Sequence, residues 1–214
     1  MTDSTELHQP LRRDAARNRE LIVAAARDLF AESGLDVPYD DIGRRAGVGV
    51  ATVYRRFPQR DDLIVTLFDQ RVADLAKRGD EALEMEDAWT GLRSFVEKVM
   101  TAQAGDRGFA QVLTRSALYG RRVETCAGQL HPRLAALVKR AHQAGVIRPD
   151  IGTADFEMLM TMLISMVHPN TGLWRRYAAV FFDGITTDLV PRERLPADQP
   201  TEADLRQLVL RWAH

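Results

Sequence analysis

Apolar residues recur three and four places apart along nearly the whole of this 214-residue chain, and no stretch alternates apolar with polar residues as a half-buried strand does. A chain patterned in this way buries its apolar side chains by packing helix on helix, so the expected fold is all-α. The spacing predicts helices over 14–33, 39–46, 61–80, 88–104, 107–119, 121–144 (broken near Pro132), 153–167, 173–188 and 201–213, with a short third helix ending near Phe57-Pro58. Residues 1–11 read as a disordered arm, and 191–200, with Pro191, Pro196 and Pro200, as a linker. Gly34 stands where a left-handed C-cap residue is wanted, and Asp61 and Asp62 sit where a helix dipole favours negative charge.

The most informative segment runs from Tyr39 to Pro58, YDDIGRRAGVGVATVYRRFP. Ala46 is small enough for two helices to cross there, and Gly47 tolerates the positive φ of a tight turn. Val53 and Phe57, four apart, define an inward face with Ile42 and Val48. Val50, Ala51, Thr52, Tyr54, Arg55 and Arg56 are left outward. Small residues let such a helix enter a major groove, and the Thr52 hydroxyl suits a base edge or a phosphate. Tyr54 and Arg56 suit phosphate oxygens, and Arg55 a phosphate or a guanine edge. Tyr39 and Arg44 on the second helix, Arg60 before the fourth, and an arm carrying Arg12, Arg13 and Arg17 complete the expected DNA-facing set. This is a three-helix, homeodomain-like helix-turn-helix domain over 12–60. A helical domain over 61–214 follows, with 61–80 as the connecting helix.

Other function classes find less support. Lys and Arg total 29 against 30 Asp and Glu, so net charge says nothing of a partner. The single Cys126 forms no disulfide within the chain, the polar start has no apolar leader region, and the apolar run 158–167 is too short to span a bilayer. These point to a cytoplasmic protein with no membrane partner. His8, His131, His142, His168 and His214 lack metal-ligand spacing, and no nucleophile elbow or paired catalytic carboxylates stand out. No cofactor and no enzymatic activity are expected. An enzyme on a helical scaffold and a helical interaction module are the rival readings. Neither accounts for a small and basic outward face over 50–56.

Phe30, Gly34, Asp41-Ile42, Ala46-Gly47-Val48, Tyr54, Phe57-Pro58 and Leu63 together closely resemble the TetR/AcrR family of repressors, over about residues 15–68. Arg148-Pro-Asp150, Asp155, Trp174-Arg-Arg-Tyr177 and Phe182-Asp-Gly184 resemble an actinobacterial subgroup of it. Three residues depart from the family pattern. Gly49 replaces a hydroxyl N-cap, Tyr39 replaces Thr or Ser, and Arg56 a common His. The resemblance implies a homodimer on a palindromic operator, released by a small-molecule inducer. The helix at 153–167 is apolar nearly all round and so is buried on several faces. Leu159, Leu163, Trp174, Tyr177, Ala178, Phe181 and Ile185 are the expected residues of an intersubunit four-helix bundle. Phe95, Val99, Met100, Phe109, Leu113, Met158 and Met162 are the expected wall of a ligand cavity, with Arg115 and Ser116 as polar handles. A wall of that kind suits a small, largely apolar or aromatic ligand.

Overall fold

The computed structural model describes residues 8–114, 124–125, 128–164, 173–191 and 201. Among them are nine helices: α1 (His8–Ser33), α2 (Tyr39–Ala46), α3 (Val50–Arg56), α4 (Arg60–Glu84), α5 (Ala88–Ala104), α6 (Arg107–Thr114), α7 (His131–Gln143), α8 (Thr153–Ile164) and α9 (Leu173–Ile185). The described residues include no strand, only an isolated antiparallel bridge between Ile147 and Thr186. Among them no helix is long and apolar enough to cross a membrane, and no group of His, Cys, Asp and Glu could hold a metal ion. The helix expected at 201–213 and the linker at 192–200 lie outside the described residues, as do Arg115, Ser116 and the side chains of Arg12, Arg13 and Leu113.

The first helix starts at His8, six residues before the expected start, so residues 8–11 are helical and not part of an arm. Pro10 falls in the first turn, where its missing N–H costs no hydrogen bond, and the Arg- and Ala-rich run that follows favours helix. The fourth helix runs on to Glu84 because Ala82 is fully buried there. The expected break near Pro132 is present: residues 128–129 are helical, Leu130 is a turn, and α7 starts afresh at His131 with Pro132 in its first turn.

The chain divides into two compact units, Met1–Arg71 with Asp106–Arg122, and Val72–Gly105 with Val123–His214. The division falls inside α4, eleven residues beyond 60/61, and it carries α6 into the first unit. In that unit Ile22, Ala26 and Phe30 of α1, Ile42 of α2, Val53, Phe57, and Leu63, Ile64 and Phe68 of α4 form the core. α6 packs against α1. Its Phe109 stacks on Phe68 with ring centroids 5.5 Å apart, and the Gln111 side chain accepts a 2.7 Å hydrogen bond from the Leu35 N–H just past the α1 C-terminus.

In the second unit α5 is central and packs against α7 and α8, and α9 packs against α8. Arg140 closes the end of α4 by donating to the carbonyls of Leu83 (2.5 Å) and Met85 (2.6 Å). Several residues of the subgroup pattern are structural. Arg148 pairs with Asp150, and Asp155 accepts from the Gly152 N–H at 2.7 Å, capping α8.

The two apolar faces of α8 are reversed from expectation. Phe156, Leu159 and Leu163 are buried in the unit's own core, with Trp174, Ala178, Phe182 and Ile185 of α9. Leu159, Leu163, Trp174, Ala178 and Ile185 are therefore core, not interface. Met158 and Met162, expected in a cavity wall, are 60% and 51% exposed, with Val180 of α9 at 47%. Tyr177 and Phe181 lie half-buried between these extremes. On a helix with no polar stripe, periodicity does not say which apolar face turns inward. Phe109 also changes place, since it belongs to the first unit while Phe95, Val99 and Met100 belong to the second.

Candidate nucleic-acid interface

α2 and α3 meet through a turn of three residues. Gly47 takes φ +69° there, and its N–H donates to the Arg44 carbonyl at 3.3 Å. An L residue with a side chain is disfavoured at that φ. The Val48 N–H donates to the Gly43 carbonyl at 3.0 Å, so the turn closes tightly over α2. A Cβ at Gly43 would stand 3.0 Å from the Val48 carbonyl oxygen. Gly43 is thus part of the helix crossing that the sequence alone assigns to Ala46; a glycine mid-helix, where it costs stability, is the signal.

α3 buries Val53 completely, and Phe57 follows it into the core. Ala51, Tyr54 and Arg55 are exposed, and Val50, Thr52 and Arg56 are half-buried. The six residues expected to face a duplex thus surround the inward Val53, with Ala51, Tyr54 and Arg55 the most open of them. Tyr54 is 56% exposed, and Arg55 leans to Thr52 Oγ1 at 3.4 Å. Gly49 caps α3 with its backbone alone, accepting from the Thr52 N–H at 2.8 Å. Arg17 is exposed on α1, and Arg44 is exposed on α2 in an ion pair with Asp41.

Two expected contacts face the other way. Tyr39 is only 6% exposed, and its hydroxyl donates to the Phe57 carbonyl at 3.0 Å. That carbonyl lies past the end of α3, where no helical donor reaches it. The Tyr39 ring also meets the Tyr54 ring edge-on, with centroids 4.9 Å apart at 65°. Arg60 donates through Nε to the Leu35 carbonyl at 3.1 Å and through a terminal nitrogen to the Val37 carbonyl at 2.6 Å. Its guanidinium lies over the rings of Phe30 (5.5 Å) and Tyr39 (5.6 Å). Both residues brace the fold through these contacts. The loop 34–38 has carbonyls that no helix satisfies, and a nearby long donor answers that need. Arg19 is a brace of the same kind, over Phe57 at 5.1 Å and donating to Thr66 Oγ1 at 3.3 Å.

Burial holds the Tyr39 phenol above its usual value; neighbouring Tyr54, Asp62 and Asp61 push the same way, and Arg60 opposes them. A folded-state value above the unfolded one means the native state holds its proton longer. The stability this contributes is present below the ordinary value of 10.0 and is lost as pH rises through the raised value. Tyr39→Phe is expected to cost about 1 kcal/mol at neutral pH, the worth of a buried hydrogen bond whose acceptor loses its partner. Urea unfolding across pH 8 to about 11 checks this: the gap between wild type and Tyr39→Phe should narrow above pH 10.0. A gap that stays constant would show that the hydroxyl is not bonded in the native state.

Two family models match the chain, "Bacterial regulatory proteins, tetR family" over 22–67 and "Transcriptional regulator SbtR-like, C-terminal domain" over 87–187. A TetR transcription regulatory protein of known structure from Mycobacterium vanbaalenii is 32% identical, with 83% of this chain and 100% of that one covered and a TM-score of 0.59. The regulator FadR from Bacillus subtilis, solved in complex with stearoyl-CoA, is 22% identical and shares the fold, covering 68% of this chain and 84% of its own with a TM-score of 0.54. A curated relative, the fatty acid metabolism regulator protein of Bacillus subtilis (strain 168), is 29% identical over 93 residues, 42% of this chain; the match spans about half (48%) of that relative's length. The helix-turn-helix geometry and these matches agree: the chain is a DNA-binding transcription regulator, not an enzyme, and belongs to the TetR family.

Proposed function

We propose that the protein is a repressor that binds a palindromic operator as a homodimer and leaves it when a small, largely apolar ligand binds. The observation that carries the DNA reading is the outward face of α3, where small Ala51 and Thr52 stand beside exposed Tyr54 and Arg55. In a dimer, two such helices reach successive major grooves when about 34–36 Å apart. A transcription regulator works where the DNA is, and the cytoplasm is the location proposed for it. Arg17 and Arg44 add exposed positive charge, and Arg12 and Arg13 extend the same helix toward its N-terminus.

The dimer reading now rests on Met158, Met162 and Val180, with Tyr177 and Phe181 at the margin. The ligand reading rests on Phe95, Val99 and Met100, buried along α5. Only two residues separate α5 from α6, which packs against α1. A ligand that shifts α5 would therefore pull on the DNA-reading unit through the chain itself. The FadR structure from Bacillus subtilis holds stearoyl-CoA, whose acyl chain is apolar though its CoA part is charged; what carries over is only that an apolar chain suits a ligand of this kind. Ligand and DNA would weaken each other by the same factor.

The test is a gel shift on the DNA upstream of the protein's own coding region. Tyr54→Ala should weaken operator and non-operator DNA alike by about tenfold, because a phosphate bond carries no base information. Thr52→Val should narrow the difference between the two DNAs, since a base contact is what distinguishes them. Arg55→Ala should lower the salt slope by about 1 if Arg55 meets a phosphate. Wild-type affinity for Tyr54→Ala at matched salt would remove α3 from the groove.

A further inference from the structure

The apolar stripe of α5 ends on a polar group. Phe95, Val96, Val99 and Met100 are buried along it, and Gln103, one turn beyond Val99 and Met100, is 5% exposed. Gln103 is the one buried polar side chain among the described residues. Its Oε1 has no hydrogen-bond partner among them; Arg56 Nε, Arg71 Nε and Ser94 Oγ are also buried atoms without one, but on side chains that are only half-buried. A buried acceptor left without a donor is costly, and nearly all such groups in native proteins are paired. A leucine at this place would fill similar space without that cost. The amide therefore has a use that folding alone does not supply.

An unpaired carbonyl oxygen accepts, so its partner must donate. A carboxylate or phosphate only accepts, and would set negative charge against Oε1. An ammonium donates, but a neutral amide does not compensate a buried charge. A hydroxyl on an apolar body meets both conditions: it donates one hydrogen bond, and its remainder suits the aromatic and aliphatic side chains beside Gln103. We propose that Gln103 is the polar reading group of the ligand site, and that the ligand is a neutral, largely apolar molecule whose hydroxyl donates to Gln103 Oε1. This rests on the reading that the second unit binds an apolar ligand. An alkyl alcohol and a phenol share this chemistry.

The test compares the full-length protein with Gln103→Leu, using two pairs of probes: decan-1-ol with its methyl ether, and 4-butylphenol with 4-butylanisole. Each ether keeps the apolar body and loses the donor. Free Gln103→Leu should melt about 2–4 °C above wild type, because a buried oxygen without a donor has been removed and an apolar group of similar size put in its place. Wild type should bind at least one hydroxyl probe about tenfold more tightly than its ether, and Gln103→Leu should bind the two alike. The favoured pair identifies the alkyl or the aromatic source. A lower melting temperature for Gln103→Leu would show that the amide is bonded within the fold, and would overturn the proposal. Equal preference for hydroxyl over ether in both proteins would also overturn it while leaving the apolar-ligand reading intact. Failure of every probe to bind wild type would remove that reading, and this inference with it.

Discussion

Arg60→Ala is expected to lower the free energy of unfolding by about 3 kcal/mol. Each hydrogen bond from a charged donor is worth roughly 1.5–3 kcal/mol when its acceptor is left behind unpaired, and Arg60 serves the Leu35 and Val37 carbonyls together. Its place over Phe30 and Tyr39 adds roughly 0.5–1 kcal/mol. The side chain is half-buried, so water recovers part of the loss, and the sum stays near the lower end of these figures. Lysine is not a substitute, because an ammonium lacks the planar fork that spans two carbonyls and stacks on two rings. Arg60→Lys should recover less than half of the lost stability. Urea unfolding at one fixed protein concentration, followed by circular dichroism, gives all three values. A residue that touched only DNA would behave oppositely: Arg60→Ala would then unfold at the wild-type midpoint and bind DNA more weakly. That pattern would refute the brace.

Arg60 and Tyr39 also show where sequence reading runs out. The bounds of α2 fall where periodicity and Pro38 predict them, and Gly34 and Gly47 take the positive φ that their places require. These features are local: a turn of a few residues dictates them, and a few residues reveal them. Tyr39 and Arg60 answer needs created elsewhere, one carbonyl past α3 and two in the loop after α1. Those acceptors come near only once the helices have packed. The placement of α6 against α1 is non-local in the same sense, since Gln111 meets Leu35 across 76 residues of sequence. The outward face of α3 was legible because Val53 and Phe57 leave a seven-residue helix little choice of phase. The phase of α8 was not, because Leu159 and Met158 are equally apolar and only packing ranks them.

The phase of α8 decides which residues test the dimer. Phe181 lies half-buried with its ring 5.7 Å from Phe156, so a glutamate there would disturb the unit's own core. Met158 and Val180 are exposed in the single chain, and a joint Met158→Glu and Val180→Glu change leaves that core untouched. In a two-fold dimer each residue occurs on both sides, so the double change sets four carboxylates in one apolar contact. Burying a Met or Val side chain is worth about 1.5–3 kcal/mol, and two of each are lost from the contact. Ionised carboxylates facing one another add repulsion that salt only partly screens. The variant should sediment as a monomer at micromolar concentration while unfolding near the wild-type midpoint of its monomeric units. Operator binding should then fall by about 10²–10⁴, because the second half-site is no longer held at high effective concentration beside the first. Affinity for a single half-site should change little, since α3 is intact, and this separates lost assembly from lost folding. A double variant that still sediments as a dimer would place the interface elsewhere on the chain, and one that binds the full operator as wild type does would show that the two half-sites are not read by a dimer joined through α8 and α9.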